Sequence, residues 1–230
     1  MSKIITIYHG SNNIIEKPIF GEGRKNNDFG LGFYCTESKE LAKEWAVNSL
    51  KDGFCNCYKI DTEYLNILNL NSEKYTILNW IAILLEHRLF SLNTPNAKKA
   101  RQYLIDNFSI NLNQYDLIIG YRADDSYFDF AESFINNSIS INQLARSMKL
   151  GKLGEQIVIK SKYAFSLLKF DGYEEANKDE YYIKRVNRNV EANQLYLKIL
   201  EEDSSDLYIR DIMNGGIKND DPRIPRNVSK

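Results

Sequence analysis

Cysteine and histidine are scarce in this chain. Its 230 residues include three cysteines, at positions 35, 55 and 57, and two histidines, His9 and His87. No CxxC pair occurs, so the usual ligand sets of zinc sites are missing, and we predict no metal. A disulfide framework needs more cysteines and an oxidising compartment. The three thiols are therefore expected to be reduced and packed as small hydrophobic groups.

Long apolar runs and an excess of charge of one sign are also missing. The run from Trp80 to Leu85 is purely apolar but far too short to cross a bilayer. The first residues turn polar after a few apolar ones, so we expect no secretory signal. Lys and Arg number 30 against 31 Asp and Glu, which gives no global attraction to nucleic acid or an anionic membrane. We expect a soluble, cytoplasmic protein with no membrane partner.

The hydrophobic pattern predicts strands near both ends of the chain and helices between them. Strands are predicted at 4–8, 30–35, 53–60, 115–120, 155–159 and 165–170, and helices after a cap at Thr36 and at 75–108, 127–135, 141–148 and 181–202. No regular βαβ alternation and no GxGxxG after a strand is present, which disfavours a doubly wound dinucleotide fold. We predict an α+β protein with one domain over residues 1–212, a helical insertion at about 62–110 and a flexible tail over 213–230.

Three short motifs bring polar or flexible residues to the ends of predicted strands. Tyr8-His9-Gly10-Ser11 closes the first strand, Asp28-Phe29-Gly30-Leu31-Gly32-Phe33-Tyr34 leads into the second with Trp45 on the helix beyond it, and Glu155-Gln156-Ile157-Val158-Ile159 opens a late strand. In this order they resemble the catalytic core of the diphtheria-toxin-type, or poly(ADP-ribose)-polymerase-like, ADP-ribosyltransferases. More narrowly, the chain resembles a bacterial domain-of-unknown-function family of that superfamily. The resemblance implies a split mixed and antiparallel β-sheet fold with a helical insertion and a C-terminal helix.

The resemblance also implies that NAD is the co-substrate and that His9 binds its adenosine ribose. A glycine directly after a strand exposes an amide and a carbonyl that can clamp a planar carboxamide, which suits Gly10 to nicotinamide. Ser11 either binds nicotinamide or caps the turn. The rings of Tyr34 and Trp45 are expected to enclose the nicotinamide ring. Ala42 stands where the familiar polymerases have a serine that binds the carboxamide, so one contact is missing or replaced.

Glu155 is the expected catalytic residue. Cleavage of the bond to nicotinamide develops positive charge on the ribose, and a nearby carboxylate stabilises that charge. Gln156 is expected to point to the opposite face of the strand and to serve packing or polar pairing. Taken singly, each predicted site residue also has a purely structural explanation: Tyr34 and Trp45 as core aromatics, His9 as a loop histidine and Glu155 as a solvated residue at the start of a strand.

The acceptor of the ADP-ribose is left open by the sequence. Asp124, Asp125 and Tyr127 either contact it or form an ordinary turn. Arg146, Lys149 and Lys152, in or beside the loop before Glu155, either recognise it or face solvent. We expect a mono-ADP-ribosyltransferase acting on a protein or nucleic acid, and a neutralising antitoxin as a partner if the enzyme is toxic. The alternatives are a catalytically silent NAD-binding module and an NAD glycohydrolase.

Overall fold

Two β-sheets and a set of helices make up the computed structural model, which describes residues 3–92, 94–123, 125–150, 154–202 and 205–226, and of residues 125 and 126 only the backbone. The strands of this described part are β1 (Ile4–Ser11), β2 (Phe33–Cys35), β3 (Gly53–Asp61), β4 (Ile67–Asn69), β5 (Leu117–Tyr121), β6 (Glu155–Ile159) and β7 (Lys169–Ala176). Its α-helices are α1 (Lys39–Ala46), α2 (Ile77–His87), α3 (Pro95–Phe108), α4 (Asp125–Ile135), α5 (Ile141–Ser147), α6 (Lys162–Ser166), α7 (Lys178–Leu200) and α8 (Ile209–Asn214). The predicted α+β class is confirmed.

The two sheets meet at the edge strands β1 and β2. The first sheet has the order β1-β3-β7 and is antiparallel, and the second has the order β2-β6-β5-β4, in which only the β4–β5 pair is parallel. Tyr8 and Thr36 exchange two backbone hydrogen bonds, of 2.8 and 2.9 Å, that join the sheets. This bridge is isolated, because no neighbouring pair of described residues continues the ladder.

Successive side chains of β6 enter two different cores, because neighbouring residues of a strand face opposite sides. Ile157 and Ile159 belong to the smaller core, together with Ile7 of β1 and Phe33 of β2. Val158 belongs to the larger core, which the helices cover on the other side of the second sheet. The cleft between β1 and β2 therefore has a packed apolar floor.

Three predicted element boundaries are wrong. Ser38, not Thr36, caps α1, and its hydroxyl oxygen accepts from the Leu41 amide at 3.3 Å. The last strand is β7 and not residues 165–170, since a helix capped by Ser161 occupies residues 162–166. The segment predicted to be a helical insertion also contains β4, which pairs with β5.

The carboxyl-terminal part consists of the long helix α7, the short helix α8 and a segment that follows it. Beyond α8, Ile217 and Ile224 are buried, and the Tyr103 hydroxyl of α3 donates to the Ile217 carbonyl at 2.8 Å. Arg226 forms a backbone bridge with Thr76. No helix in the described ranges is both long and apolar enough to span a membrane.

Candidate functional site

A cavity of about 480 Å³ lies where β1 and β2 separate. His9, Gly10, Tyr34 and Trp45 all line it, although they come from β1, β2 and α1. The loop between β1 and β2, the segments that follow α2 and β5, Gln156 of β6, Phe165 of α6 and Arg185 of α7 also contribute to the lining. Four of the six predicted site residues are thus brought together, whereas Ser11 and Glu155 do not belong to the lining.

His9 is held as a neutral ring. Its Nδ1 lies 2.6 Å from the Tyr34 carbonyl oxygen, and its ring stacks on Phe33 with 4.3 Å between the centroids. Burial lowers the pKa of His9, and the hydrogen bond to Tyr34 only partly offsets this. Since a carbonyl oxygen can only accept, Nδ1 carries the proton and Nε2 is left as an acceptor. A hydroxyl group of a ligand is a fitting donor to Nε2.

Gly10 serves both the fold and the cavity. A Cβ at this position would lie 2.0 Å from the Ala42 carbonyl oxygen and 2.7 Å from the Ala46 amide, so only glycine lets α1 approach β1 this closely. Backbone groups alternate between the two sides of an antiparallel strand. Because Tyr8 turns its amide and carbonyl toward β2, Gly10, two residues on, directs its own toward the same side. There the strands have separated.

Tyr34 is fixed by the turn that precedes it. Its hydroxyl donates to the Gly30 carbonyl at 2.6 Å and accepts from the Phe29 amide at 3.0 Å. Gly30 has a φ of +70°, a backbone conformation that favours glycine. Lys160 of the strand end beyond β6 donates to the carbonyls of Phe29 and Leu31 at 2.8 and 2.6 Å. The ring of Tyr34 is therefore held in a single position at the cavity wall.

Trp45 lies on α1, one helical turn after Leu41. The Arg122 guanidinium carbon lies 4.4 Å from the centre of the indole ring, a cation–π contact that covers one face. The indole Nε1 is buried and has no hydrogen-bond partner among the described residues. Arg122 also lines the cavity, so its contact with Trp45 is part of the cavity wall.

Ser11 is occupied by the turn after β1. Its hydroxyl oxygen accepts from the Asn13 amide at 3.2 Å, which corresponds to the turn-capping alternative. The loop that follows is anchored by Asn56 of β3, which is fully buried and accepts from the Ile15 amide at 2.8 Å. Asn56 was not a predicted site residue, and its signal in the sequence is only a polar residue between two cysteines of a strand.

Glu155 is exposed at the first position of β6, opposite Tyr121 of β5. Its neighbours in the chain and in the sheet approach the cavity wall, and Gln156, the next residue, lines the cavity. Tyr121 directly precedes Arg122, whose guanidinium covers Trp45. On the other side, Gly154 abuts α1, where a Cβ would lie 2.7 Å from Leu41 Cδ1. Glu155 therefore lies beside the wall that Trp45 forms, while its carboxylate is open to solvent.

A buried carboxylate that was not a predicted site residue, Asp28, also lines the cavity. Asp28 accepts from the Ala123 amide and from Gln156 Nε2, both at 2.8 Å, and from Arg88 Nη1 at 3.2 Å. Burial raises the pKa of Asp28 although these donors and Arg122 lower it. Gln156 faces away from Glu155, as the alternation of the strand predicts, and also donates to the Tyr121 carbonyl at 2.9 Å. In the sequence, the only indication of a role for Asp28 is its position at the start of the motif Asp28-Phe29-Gly30.

Of the residues offered for acceptor recognition after β5, only Tyr127 has a described side chain. Asp124 and the side chain of Asp125 lie outside the described residues. Tyr127 is buried in the larger core, and its hydroxyl donates to the Leu150 carbonyl. Tyr127 is therefore part of the core and does not line the cavity.

The two described basic residues before Glu155 have different surroundings. Arg146 forms an ion pair with Glu202. Lys149 lines another cavity, of about 590 Å³, between α1 and α7. Lys152 lies outside the described residues. Among the described residues, no group of three or more His, Cys, Asp or Glu side chains is arranged to hold a metal ion.

Comparison with known proteins identifies the family of the chain. The model of one protein family, DUF3990, described as a protein of unknown function, matches residues 5–170. No curated protein and no solved structure matches. The matched region begins in β1, includes β2, α1 and β6, and ends within β7, so it contains every predicted site residue but not α7. Because the match covers well over half of the sequence, the chain belongs to the DUF3990 family.

Proposed function

We propose that this protein is an NAD-dependent mono-ADP-ribosyltransferase. The observation that carries the proposal is the convergence of His9, Gly10, Tyr34 and Trp45 on one cavity at the point where β1 and β2 separate. These are the residues that the resemblance assigns to NAD, and they come from three elements. Folding brings these residues together, which their order in the chain does not guarantee.

The lining of the cavity suits the parts of NAD. Gly10 offers a strand amide and carbonyl to a carboxamide, and Trp45 offers an aromatic face. His9 offers Nε2 to a ribose hydroxyl. Three arginines that line the cavity, Arg88, Arg122 and Arg185, supply positive charge for a pyrophosphate.

Glu155 supplies the group that the chemistry needs. The bond between the ribose C1′ and the nicotinamide nitrogen breaks, and its electron pair leaves with nicotinamide. A nucleophile of the acceptor forms the new bond to C1′, and its proton passes to Glu155 or to water. An exposed carboxylate at the rim can both stabilise the positive charge on the ribose and meet an acceptor that arrives from solvent.

Release of nicotinamide from NAD tests the proposal. We expect purified protein to release nicotinamide in the presence of a cell lysate and to transfer labelled ADP-ribose to a macromolecular fraction. Glu155→Gln removes the charge with little change of shape and should reduce this rate by about 10² to 10³-fold. Glu73→Gln, the same change at an exposed glutamate in the turn after β4, is the matched control and should keep full activity.

The remaining outcomes separate the alternatives. Free ADP-ribose without a labelled macromolecule would identify an NAD glycohydrolase. Saturable NAD binding without turnover in any lysate fraction would identify a silent NAD-binding module. Absence of NAD binding would refute the proposal, and full activity of Glu155→Gln would remove Glu155 from the reaction.

A further inference from the structure

The solvent side of α7 is unusually apolar. Five aliphatic side chains on this 23-residue helix are exposed. They are Ile183 (55%), Val186 (40%), Val190 (49%), Leu197 (59%) and Leu200 (42%). We call these five residues the α7 stripe. A helix on the surface of a protein normally turns polar residues to solvent, so the stripe needs an explanation.

The stripe is distinct from the face by which α7 packs on the rest of the molecule. That inner face buries Tyr181, Ala192 and Ile199. Beside it, Tyr196 packs on Phe130 of α4, with 4.0 Å between the ring centroids. The core interactions of α7 are therefore already satisfied, and the stripe is a second apolar face.

The spacing of the stripe follows a heptad pattern. Ile183, Val186 and Val190 are separated by three and then four residues, and Leu197 and Leu200 continue the same pattern one heptad later. Repeats of three and four are the pattern of helices that pair side by side. The one position of the pattern that is not aliphatic is Asn193, which is also exposed. The stripe extends over about 26 Å of helix at 1.5 Å per residue.

We propose that the α7 stripe is a self-association surface, on which α7 of a second copy of this chain packs in parallel and in register. The inference does not depend on the proposed enzymatic function. The partner is a second copy because three features suit self-pairing: the single polar position of the stripe, the residues that flank the stripe and the net charge of the molecule.

Asn193 selects the parallel arrangement. A buried side-chain amide needs hydrogen-bond partners, and a single asparagine in a heptad seam is satisfied by the asparagine at the same level of a parallel partner. In an antiparallel pair of the same length, Asn193 would face Val190 and its amide would lack a partner. The sequence therefore favours two copies that run in the same direction.

The flanks of the stripe raise no electrostatic barrier to a second copy. The flanking heptad positions within the stripe are all uncharged: Tyr182, Asn187, Asn189, Gln194 and Tyr196. Like charges across such a seam would oppose pairing, and none faces another here. The net charge of the whole chain is −1, so two copies do not repel each other strongly at a distance.

Sedimentation velocity of the full chain tests the surface. We expect a dimer that dissociates on dilution. Leu197→Glu would place two carboxylates side by side in the seam and should weaken association by at least about 100-fold. Leu50→Glu makes the same change at a leucine that is 82% exposed in the bend before β3, and should leave the dimer intact. Both sites are open to solvent, so both variants should keep the circular dichroism of the wild type.

Cross-linking tests the direction of the partner. In a Cys57→Ser background, Leu200→Cys should form a disulfide-linked dimer under mild oxidation, because a parallel pair places the two 200 positions side by side. In an antiparallel pair these positions lie at opposite ends of the stripe, about 25 Å apart. The Cys57→Ser chain itself, which retains the buried Cys35 and Cys55, is the background control.

Three results would overturn the inference. The first is a wild-type chain that stays monomeric at about 100 μM, where even a weak dimer forms. The second is equal dissociation constants for Leu197→Glu and Leu50→Glu. The third is a dimer in which Leu200→Cys does not cross-link, which would exclude the parallel arrangement.

Discussion

The buried imidazole of His9 makes the stability of the fold depend on pH in a defined direction. Because burial lowers its pKa, the unfolded chain takes up a proton below about pH 6.5 that the folded chain does not bind. The stability that His9 contributes is therefore fully present above pH 6.5 and is lost as the pH falls toward the pKa of the folded state. We expect the free energy of unfolding in urea to decrease more between pH 7 and pH 5 for the wild type than for His9→Gln.

The matched control for this pH effect is Ser11→Ala, which changes a neighbouring side chain of β1 and removes no titratable group. Its dependence on pH should follow that of the wild type. Parallel pH profiles for His9→Gln and the wild type would contradict the neutral state that we assign to His9.

Loss of the Asp28 carboxylate should disturb the part of the cavity wall that it joins by hydrogen bonds. Asp28→Ala leaves the Ala123 amide, Gln156 and Arg88 without their shared acceptor, and unsatisfied buried donors cost about 1–3 kcal/mol. We expect a loss of that size in the free energy of unfolding, measured by urea denaturation. Asp179→Ala removes a carboxylate that is 79% exposed and pairs with Lys178, and it should change stability much less. Equal effects of the two variants would show that the Asp28 network adds nothing.

The sequence located residues of the site that lie in local motifs and missed those that meet only in the folded chain. His9, Gly10 and Tyr34 stand beside strand ends and glycine turns, which a sequence displays directly. Asp28 is separated by 60 residues from Arg88 and by 128 from Gln156. Because no local pattern links such distant positions, only the pairing of β2, β6 and β5 brings them together.

At the scale of elements, the contact between α1 and β1 depends on the absence of one side chain. Gly10→Ala would drive a Cβ into the backbone of α1, so the helix that carries Trp45 must shift. Overpacking of this kind costs about 1–3 kcal/mol, and we expect a loss of stability of at least this size together with weaker NAD binding. Thermal denaturation and calorimetric NAD titration measure the two effects.

Gly21→Ala is the control for the substitution at Gly10. A Cβ added at Gly21 would meet nothing within 4 Å, and the φ of this residue is +88°, so alanine there meets only the conformational cost of about 1–2 kcal/mol. It should leave α1 in place, although Gly21 lies in the loop between β1 and β2. If Gly10→Ala bound NAD with wild-type affinity, the close contact between α1 and β1 would not be needed for NAD binding.

Element boundaries were predicted less well than the elements themselves, for reasons visible in particular residues. Thr36 and Ser38 are both good helix caps, and only the bridge between Tyr8 and Thr36 decides for Ser38. β4 has three residues, too few for a periodic signal, and it exists because β5 pairs with it. A register shift between Cys57 and Tyr58 likewise depends on pairing with β7.

At the scale of the whole molecule, the class could be predicted and the sheet order could not. Strand patterns near both ends with helices between them indicate an α+β chain. The pairing of β2 with β6, however, joins segments on opposite sides of a long helical region. The hydrophobic pattern of the sequence would be the same whichever edge of the sheet β2 joined. The cleft that forms the cavity is a product of this long-range pairing.

Arg185 has a consequence for how members of the family can differ. It lines the cavity from α7, whereas the region that defines the family ends at residue 170. The matched region thus includes the strands that carry His9, Tyr34 and Glu155, whereas the helix that supplies Arg185 to the cavity wall lies outside it. A relative with another helix at this position would keep the strands that carry His9, Gly10 and Tyr34 but would have a cavity of different shape, so the ligands that the cavity accepts can change while these strands stay the same.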